Sequence, residues 1–423
     1  MTRDSKTEIL TLRKAVEELT ILNAISAAIS STMKVEEISN LILSKCIHHV
    51  AAEQGSITLL AGSEMAPSFQ TMQRVIDKRM GEVPYRLGAS LTGWMLKNQE
   101  NLMIDDISTD KRFPGISSES GAVKSVVSVP LKVKDKIIGL ITLFNKKSGK
   151  FGPEDQRFLS IVATQSAQVL ENARLYEEEQ KLKIIEDELK TAQNIQKSLL
   201  PKENPAIPGI DIAGTYYPAR EVGGDYFDYI QIDENRLGLA IGDVSGKGLP
   251  AALLMSHLHA SLRASAPVNI SAKDCVAKTN SLLCQCIAEG KFITMFYGVL
   301  NTSDRSFLFT NAGHNYPLLF KRDGTVERLE TGNLIMGVMP DFPYTEKSIF
   351  LNPGEILVLY TDGVTEAESG TGEQFEEKRV IDVVTKNAQL SSAQLCQKLF
   401  DEVQAFQKDA VQQDDFTLVI AKT

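Results

Sequence analysis

The sequence predicts an α+β chain of several domains joined by one long helix. Three observations lead there. The chain has 423 residues, more than one ordinary hydrophobic core organises, so two or three domains are expected. Short alternating apolar runs lie beside helical apolar stripes in both halves. Between the halves, residues 153–200 read as helix, with no Pro or Gly after Pro153.

Composition narrows the function classes. Hydrophobic residues make up 43% and charged residues 23%, as in a soluble globular protein. The apolar run at residues 137–144 is strand-sized, far short of a membrane span. The polar start M-T-R-D-S-K-T-E carries no secretory signal, so the cytoplasm is the expected compartment. A net charge of −9 argues against a nucleic-acid backbone as partner. Five Cys, at 46, 275, 284, 286 and 396 and without C-x-x-C pairs, argue against a disulfide framework and a structural zinc site.

Ile9, Leu12, Val16, Leu19, Leu22, Ile25 and Ile29 form a stripe near heptad spacing. Residues 1–30 are therefore expected to form a dimerisation helix. Residues 35–50 read as a second helix, 54–60 and 83–87 as strands, and 89–98 as a turn and short helix. Residues 126–133 and 136–145 alternate as a hairpin about Lys134-Asp135. G-A-S-L-T-G-W-M-L-K-N-Q-E-N-L-M-I-D-D-I-S-T-D-K-R-F (88–113) and S-V-V-S-V-P-L-K-V-K-D-K-I-I-G-L-I-T-L-F-N-K (125–146) resemble the GAF family. The resemblance covers residues 20–175. It implies an antiparallel sheet with flanking helices; family members bind cyclic nucleotides, tetrapyrroles or other small molecules, or nothing, and an unknown small ligand is the expectation here. Asn145, Lys146, Phe151 and Asp155 echo a motif of cyclic-nucleotide-binding members. His48 and His49 are adjacent, so they do not face one another on a helix and form no metal pair.

Pro153 suits a helix start and Pro201 a stop. Leu175, Leu182 and Leu189 repeat at heptad spacing, with Ile185, Ala192 and Leu199 as the second seam position. Residues 154–200 are expected to form a parallel coiled-coil linker of roughly 70 Å in a homodimer.

The Pro-rich stretch 201–208 opens the last domain, 201–423. Residues 209–217 read as its first strand. Residues 226–232 and 236–241 form a hairpin about Asp233-Glu234-Asn235. Helices follow at 249–266 and 272–289, and strands at 292–300, 306–311, 318–321, 326–329 and 355–360. Helices at 375–386 and 391–407 precede a last strand at 416–420.

Acids mark the strand ends. Asp225 opens the first arm of the hairpin and Asp243 lies just past the second, so antiparallel pairing sets them side by side. Gly223-Gly224 and Gly242 allow close backbone approach. Asp362 follows one apolar run and Asp414-Asp415 precede another. Converging carboxylates repel unless a cation lies between them, and hard divalent ions prefer oxygen ligands. A binuclear carboxylate metal site is expected.

V-G-G-D-Y-F-D, G-D-V-S-G-K-G, N-A-G-H-N, Y-T-D-G-V-T-E and D-D-F-T occur in that order. Together they resemble the SpoIIE-like branch of the PPM (metal-dependent, type 2C) protein phosphatases, over residues 190–423. The resemblance implies an α/β/β/α sandwich and hydrolysis of phosphoserine or phosphothreonine with two Mn²⁺ or Mg²⁺ ions. Asp225 carries over as ligand of one metal, Asp243 as the bridging carboxylate and the Val244 carbonyl as a further ligand. Asp362 and Asp414 carry over to the second ion, with Asp415 as the alternative to Asp414. Arg220 carries over as the substrate-phosphate ligand. Ser245 stands where better-known members have a His acid. His314 is the other candidate acid, against a turn-stabilising role. The branch implies a phosphorylated STAS-type anti-sigma-factor antagonist as substrate. G-D-V-S-G-K-G lacks P-loop spacing and has Gly248 where Ser or Thr would hold Mg²⁺. The competing expectation is an inert scaffold that docks a phosphorylated partner.

Overall fold

The computed structural model describes residues 3–28, 34–61, 68–76, 89–113, 123–269, 271–408, 410 and 412–423. The chain divides into two units, Met1–Ile184 and Ile185–Thr423.

In the first unit, α1 spans Arg3–Ala28 and α2 Val35–Val50. Helix α2 opens where the Lys34 N–H donates to the Glu37 carboxylate, and ends at Ala51, which takes a positive φ of 55°. Its apolar stripe (Val35, Ile38, Ile42, Leu43, Cys46) is buried. The strands are β1 (Ala52–Ala61) and β2 (Ser68–Ile76). Helix α3 (Ala89–Asn98) precedes β3 (Leu102–Ile104), β4 (Val126–Val133) and β5 (Lys136–Lys146). They form one antiparallel sheet in the order β2-β1-β5-β4-β3. Strand β2 escaped the sequence reading because S-F-Q-T-M-Q-R-V-I alternates weakly. The strand expected at 83–87 lies outside the described residues.

One core joins α1 and α2, one face of the sheet, and Phe158, Leu159, Val162, Ala163 and Leu170 of the next helix. That helix, α4, covers Pro153–Leu199. Beyond Leu170 its apolar residues change character: Leu175, Leu182, Ile184 and Ile185 are exposed. Among the described residues no helix is long and apolar enough to cross a membrane.

In the second unit, β6 (Ala206–Ile207) and β7 (Ile210–Tyr217) precede the hairpin of β8 (Tyr226–Asp233) and β9 (Arg236–Val244). Helices α5 (Leu249–Ser265) and α6 (Ala272–Leu283) follow. Helix α6 ends at Leu283, short of the expected residue 289, and Ile287 beyond it packs against the core beside Gly337. Next come β10 (Ile293–Asn301), β11 (Ser306–Ala312), β12 (Leu318–Phe320), β13 (Val326–Arg328), β14 (Lys347–Phe350) and β15 (Ile356–Tyr360). The chain closes with α7 (Asp362–Thr365), α8 (Glu376–Lys386), α9 (Ser392–Gln407) and β16 (Phe416–Lys422). Strand β14 and the single turn α7 were not anticipated.

Two sheets result, ordered β14-β11-β10-β9-β8 and β13-β12-β15-β16-β7-β6. Period-2 alternation divides their side chains. Leu357 and Leu359 of β15, with Val419 and Ala421 of β16, join the core containing Phe296, Phe307 and Phe309 of the other sheet. Ile356, Val358 and Tyr360, with Phe416, Leu418 and Ile420, face α8 and α9 instead. Truncating a fully buried leucine such as Leu359 to Ala costs about 2–5 kcal/mol. These cores are the rigid base beneath the acidic strand ends.

Candidate metal centre

The β8–β9 hairpin sets the first two acids. Asp233 closes its turn, accepting from the Asn235 N–H at 3.0 Å and from Arg236 Nε at 2.6 Å. Tyr226 pairs with Gly242, so Asp225 and Asp243 extend the pairing by one position. Asp243 lies inside the end of β9 rather than just past it. Tyr360 pairs with Leu418, and Phe416 with Tyr217. That register brings Asp362, Asp414, Asp415 and the 218–225 loop to one end of the neighbouring sheet. Close approach is built in at Gly363, where a Cβ would meet the Asp415 carbonyl oxygen at 1.9 Å.

Asp225 is only 1% exposed. Its Oδ2 accepts from the Thr361 hydroxyl at 2.7 Å and from the Thr417 hydroxyl. Burial, then the charges of Asp243 and Asp415, push its pKa well above the usual carboxylate range. Burial, then Asp362, Asp414 and Asp415, push Asp243 up to about 7. Burial, then Asp414 and Glu366, push Asp362 up to about 6. The cluster is short of positive charge, and neighbouring carboxylates add to the raised proton affinities of Asp225, Asp243 and Asp362.

The adjacent pair Asp414-Asp415 divides its tasks. Asp415 is buried and spent on backbone: Oδ1 accepts from the Ala219 N–H at 2.8 Å, Oδ2 from those of Gly224 at 2.7 Å and Asp225 at 3.4 Å. Asp414 is half-buried, and its Oδ2 pairs with Lys247 Nζ at 2.9 Å. The same ammonium donates to the Gln413 carbonyl at 2.6 Å. The Val244 carbonyl oxygen and Asp243 Oδ1 both lie close to Gly224: a Cβ there would meet them at 2.8 Å and 3.5 Å. Arg220 is exposed on the loop that Asp415 holds.

The donors are all oxygen, which suits a hard divalent cation, and such a cation would relieve the repulsion described above. Among the described residues no three acidic, histidine or cysteine side chains already converge as a cage. A Mg²⁺-type site needs only one or two carboxylates per ion, completed by carbonyl and water oxygens. The oxygen donors present are of the kind such a divalent ion takes.

Comparison with known proteins agrees with this architecture. The family model for stage II sporulation protein E (SpoIIE) matches residues 233–423, and that for the GAF domain matches 32–171. The phosphoserine phosphatase RsbU of Bacillus subtilis is 32% identical over 253 residues, 58% of this chain and 74% of RsbU. The chain belongs to the SpoIIE family of PP2C-type serine/threonine phosphatases. RsbP, a phosphoserine phosphatase of the same organism, is 30% identical over 42% of this chain, and less than half of RsbP, 45%, is covered. Among solved structures, the SiaA-PP2C domain of Pseudomonas aeruginosa shares the fold at a TM-score of 0.52. It is 20% identical and covers 57% of this chain and 98% of its own. A GAF domain precedes the SpoIIE-type domain.

Near the acids of the SpoIIE-type domain, the two candidate proton donors also make contacts with their own loops. Ser245 Oγ accepts from the Phe292 N–H at 2.9 Å and its carbonyl accepts from Lys291 Nζ at 3.2 Å. His314 is a turn residue: Asn311 bonds both its N–H and its C=O, and Nδ1 lies 2.9 Å from the Thr294 hydroxyl. Burial lowers its pKa to about 4 and keeps the ring neutral. Buried Cys46, Cys275 and Cys396 have thiols pushed up to about 12, opposite to a thiolate nucleophile. In the GAF unit, Lys146 pairs with Asp155, and Asn145 Oδ1 accepts from the Lys124 and Ser125 N–H groups. Those motif residues hold their own loops together.

Sequence reasoning missed Thr361 and Thr417, Lys247, Gln196 and the pairing of buried Asp228 with Arg263. Thr361 and Thr417 stood inside the quoted motifs, adjacent to Asp362 and Phe416, and could have been found there. Nothing local marked Gln196 or Arg263.

Proposed function

We propose that the C-terminal domain removes phosphate from phosphoserine or phosphothreonine of a STAS-type partner protein, using two divalent ions, Mn²⁺ or Mg²⁺. One observation carries this: five buried or half-buried carboxylates meet at one end of two sheets, and the cation paired with them in the structure is the single ammonium of Lys247, among the described residues. The names of RsbU and RsbP support a phosphoserine substrate.

Asp225 would hold one ion, Asp243 would bridge both with the Val244 carbonyl beside it, and Asp362 and Asp414 would hold the second. Asp414 is preferred to Asp415 because both oxygens of Asp415 already accept from backbone N–H groups. Bound ions supply a water nucleophile at neutral pH and neutralise phosphoryl charge. Everything else falls to the chain. Thr361 and Thr417 fix the rotamer of Asp225, and Asp415 shapes the loop that presents it. Arg220, on that loop, offers a bidentate guanidinium to the substrate phosphate. The shared core of the two sheets and their outer helices support the α/β/β/α reading of the domain.

The exposed Leu175, Leu182 and Ile185 support a coiled-coil homodimer through α4. In this reading the GAF domain binds a small ligand and sets phosphatase activity by rotating or ordering α4. A flexible Gly/Ser break near Glu186 abolishes that regulation; regulation that survives the break contradicts it. The activity is tested by phosphate release from a phosphorylated STAS protein of the same genome. Release requires Mn²⁺ or Mg²⁺ and disappears in Asp243→Asn. Binding of the phosphoprotein without hydrolysis would leave the docking scaffold instead.

A further inference from the structure

The last turn of α4 reaches the metal centre through one side chain. Gln196 is 5% exposed, whereas Ile195 and Lys197 on either side are exposed. Its Nε2 donates to the Gly223 carbonyl at 2.6 Å, and its Oε1 accepts from the Gly223 N–H at 3.1 Å. One amide thus satisfies both polar groups of one residue, as a strand partner would.

Gly223 has no room on its other side. A Cβ there would meet Asp415 Oδ2 at 2.0 Å and the Tyr216 hydroxyl at 2.3 Å. The next N–H, of Gly224, donates to that same carboxylate at 2.7 Å. The 219–225 segment is therefore clamped twice. Asp415 grips Ala219 and Gly224, and Gln196 grips Gly223 from behind. Arg220 lies within the clamped segment, and Asp225 ends it.

We propose that Gln196 is a positioning residue: its amide holds the 219–225 loop in the shape that presents Asp225 to metal and Arg220 to phosphate. This rests on the metal-centre reading above. The arrangement is specific to helix register. One residue of rotation, about 100°, would swing the amide away. A buried amide that loses both partners costs free energy on each side. Leu200, packed in the core one turn later, fixes the axial position of this turn.

The test uses the full chain with Gln196→Met, which keeps length and helix propensity and removes both hydrogen bonds. Ile195→Met, on the exposed neighbour, is the control. Three readouts are taken: hydrogen exchange of residues 219–225 without metal, Mn²⁺ affinity by calorimetry, and KM against kcat for a phosphoprotein. The expected result is faster exchange confined to 219–225. Mn²⁺ affinity falls about 10–100-fold, as for supporting residues at metal sites. KM rises, and kcat recovers at saturating Mn²⁺. Unchanged exchange and unchanged Mn²⁺ affinity would overturn the proposal. So would faster exchange spread over the whole domain, which marks a merely structural residue. If Gln196→Met fails to fold, Gln196→Asn, one methylene shorter, is read by the same outcomes. A wild-type chain that binds no Mn²⁺ would defeat the metal-centre reading, and exchange at 219–225 would still decide the role of Gln196.

Discussion

Asp225 and Asp228 lie three residues apart, at and just inside the start of β8, and both are buried, at 1% and 0% exposure. Their surroundings are opposite. Asp228 receives Nε and Nη2 of Arg263, each at 2.7 Å, the Tyr226 hydroxyl at 2.6 Å and the Tyr229 N–H at 2.8 Å. Asp225 receives two threonine hydroxyls and faces Asp243 and Asp415. No salt bridge reaches it among the described residues. The chain gives one buried acid its own cation and, among the described residues, gives the other none, which supports the metal role proposed for Asp225. Burial alone therefore does not mark a ligand; what distinguishes Asp225 from Asp228 is that acids, and no cation, face it.

The widest break in this comparison is expected at Asp243. Asp243→Asn removes the charge that the proposed ions would share, so phosphoprotein hydrolysis is expected to fall well beyond the 10–100-fold typical of supporting residues. Circular dichroism and the melting curve stay native, because the substitution also removes repulsion. A variant that melts early would assign Asp243 a folding role.

At Asp228 the expected effect is on stability. Arg263→Ala leaves a fully buried carboxylate unpaired and costs about 3–5 kcal/mol by denaturant titration. Asp228→Ala costs less, because the Arg263 side chain is 46% exposed and reaches water. Equal costs would contradict the asymmetry. Mn²⁺ binding per folded molecule is unchanged in both.

His314 sharpens the comparison as a third buried ionisable group, with no anion. Its pKa is about 4 in the folded chain, against about 6.5 unfolded. Between those values the unfolded state binds more protons, so stability falls as pH drops from 6.5 towards 4, by roughly 3 kcal/mol at most. The difference between wild type and His314→Gln, measured against pH, shows this slope. A flat difference would mean a ring that protonates in place.

The smallest expected effect on the catalytic unit is at α4. Leu182→Asp shifts the chain from dimer to monomer in sedimentation and leaves the melting of the C-terminal unit unchanged. A monomeric wild type would contradict the coil.

Much of the candidate site's placement in the fold was legible because its signals are local. Gly223-Gly224-Asp225, the hairpin turn at Asp233 and the Asp414-Asp415 pair each announce themselves within a few residues. The split between Asp414 and Asp415 was not legible, since it depends on Ala219 and Gly224 arriving from almost two hundred residues earlier. Arg263 and Gln196 stood in ordinary helical patterns, and their buried partners are set by tertiary register. Strands β2 and β14 escaped because each is polar along much of its length. Helix α6 was read too long because helical periodicity does not show Ile287 turning into the core.

The central claim is that the acids at these strand ends gather for divalent cations. Calorimetric titration of Mn²⁺ into the full chain and into Asp243→Asn tests it most directly. The account predicts two ions per chain in the wild type and loss of that binding in the variant. Equal binding in both, or none in the wild type, would contradict it.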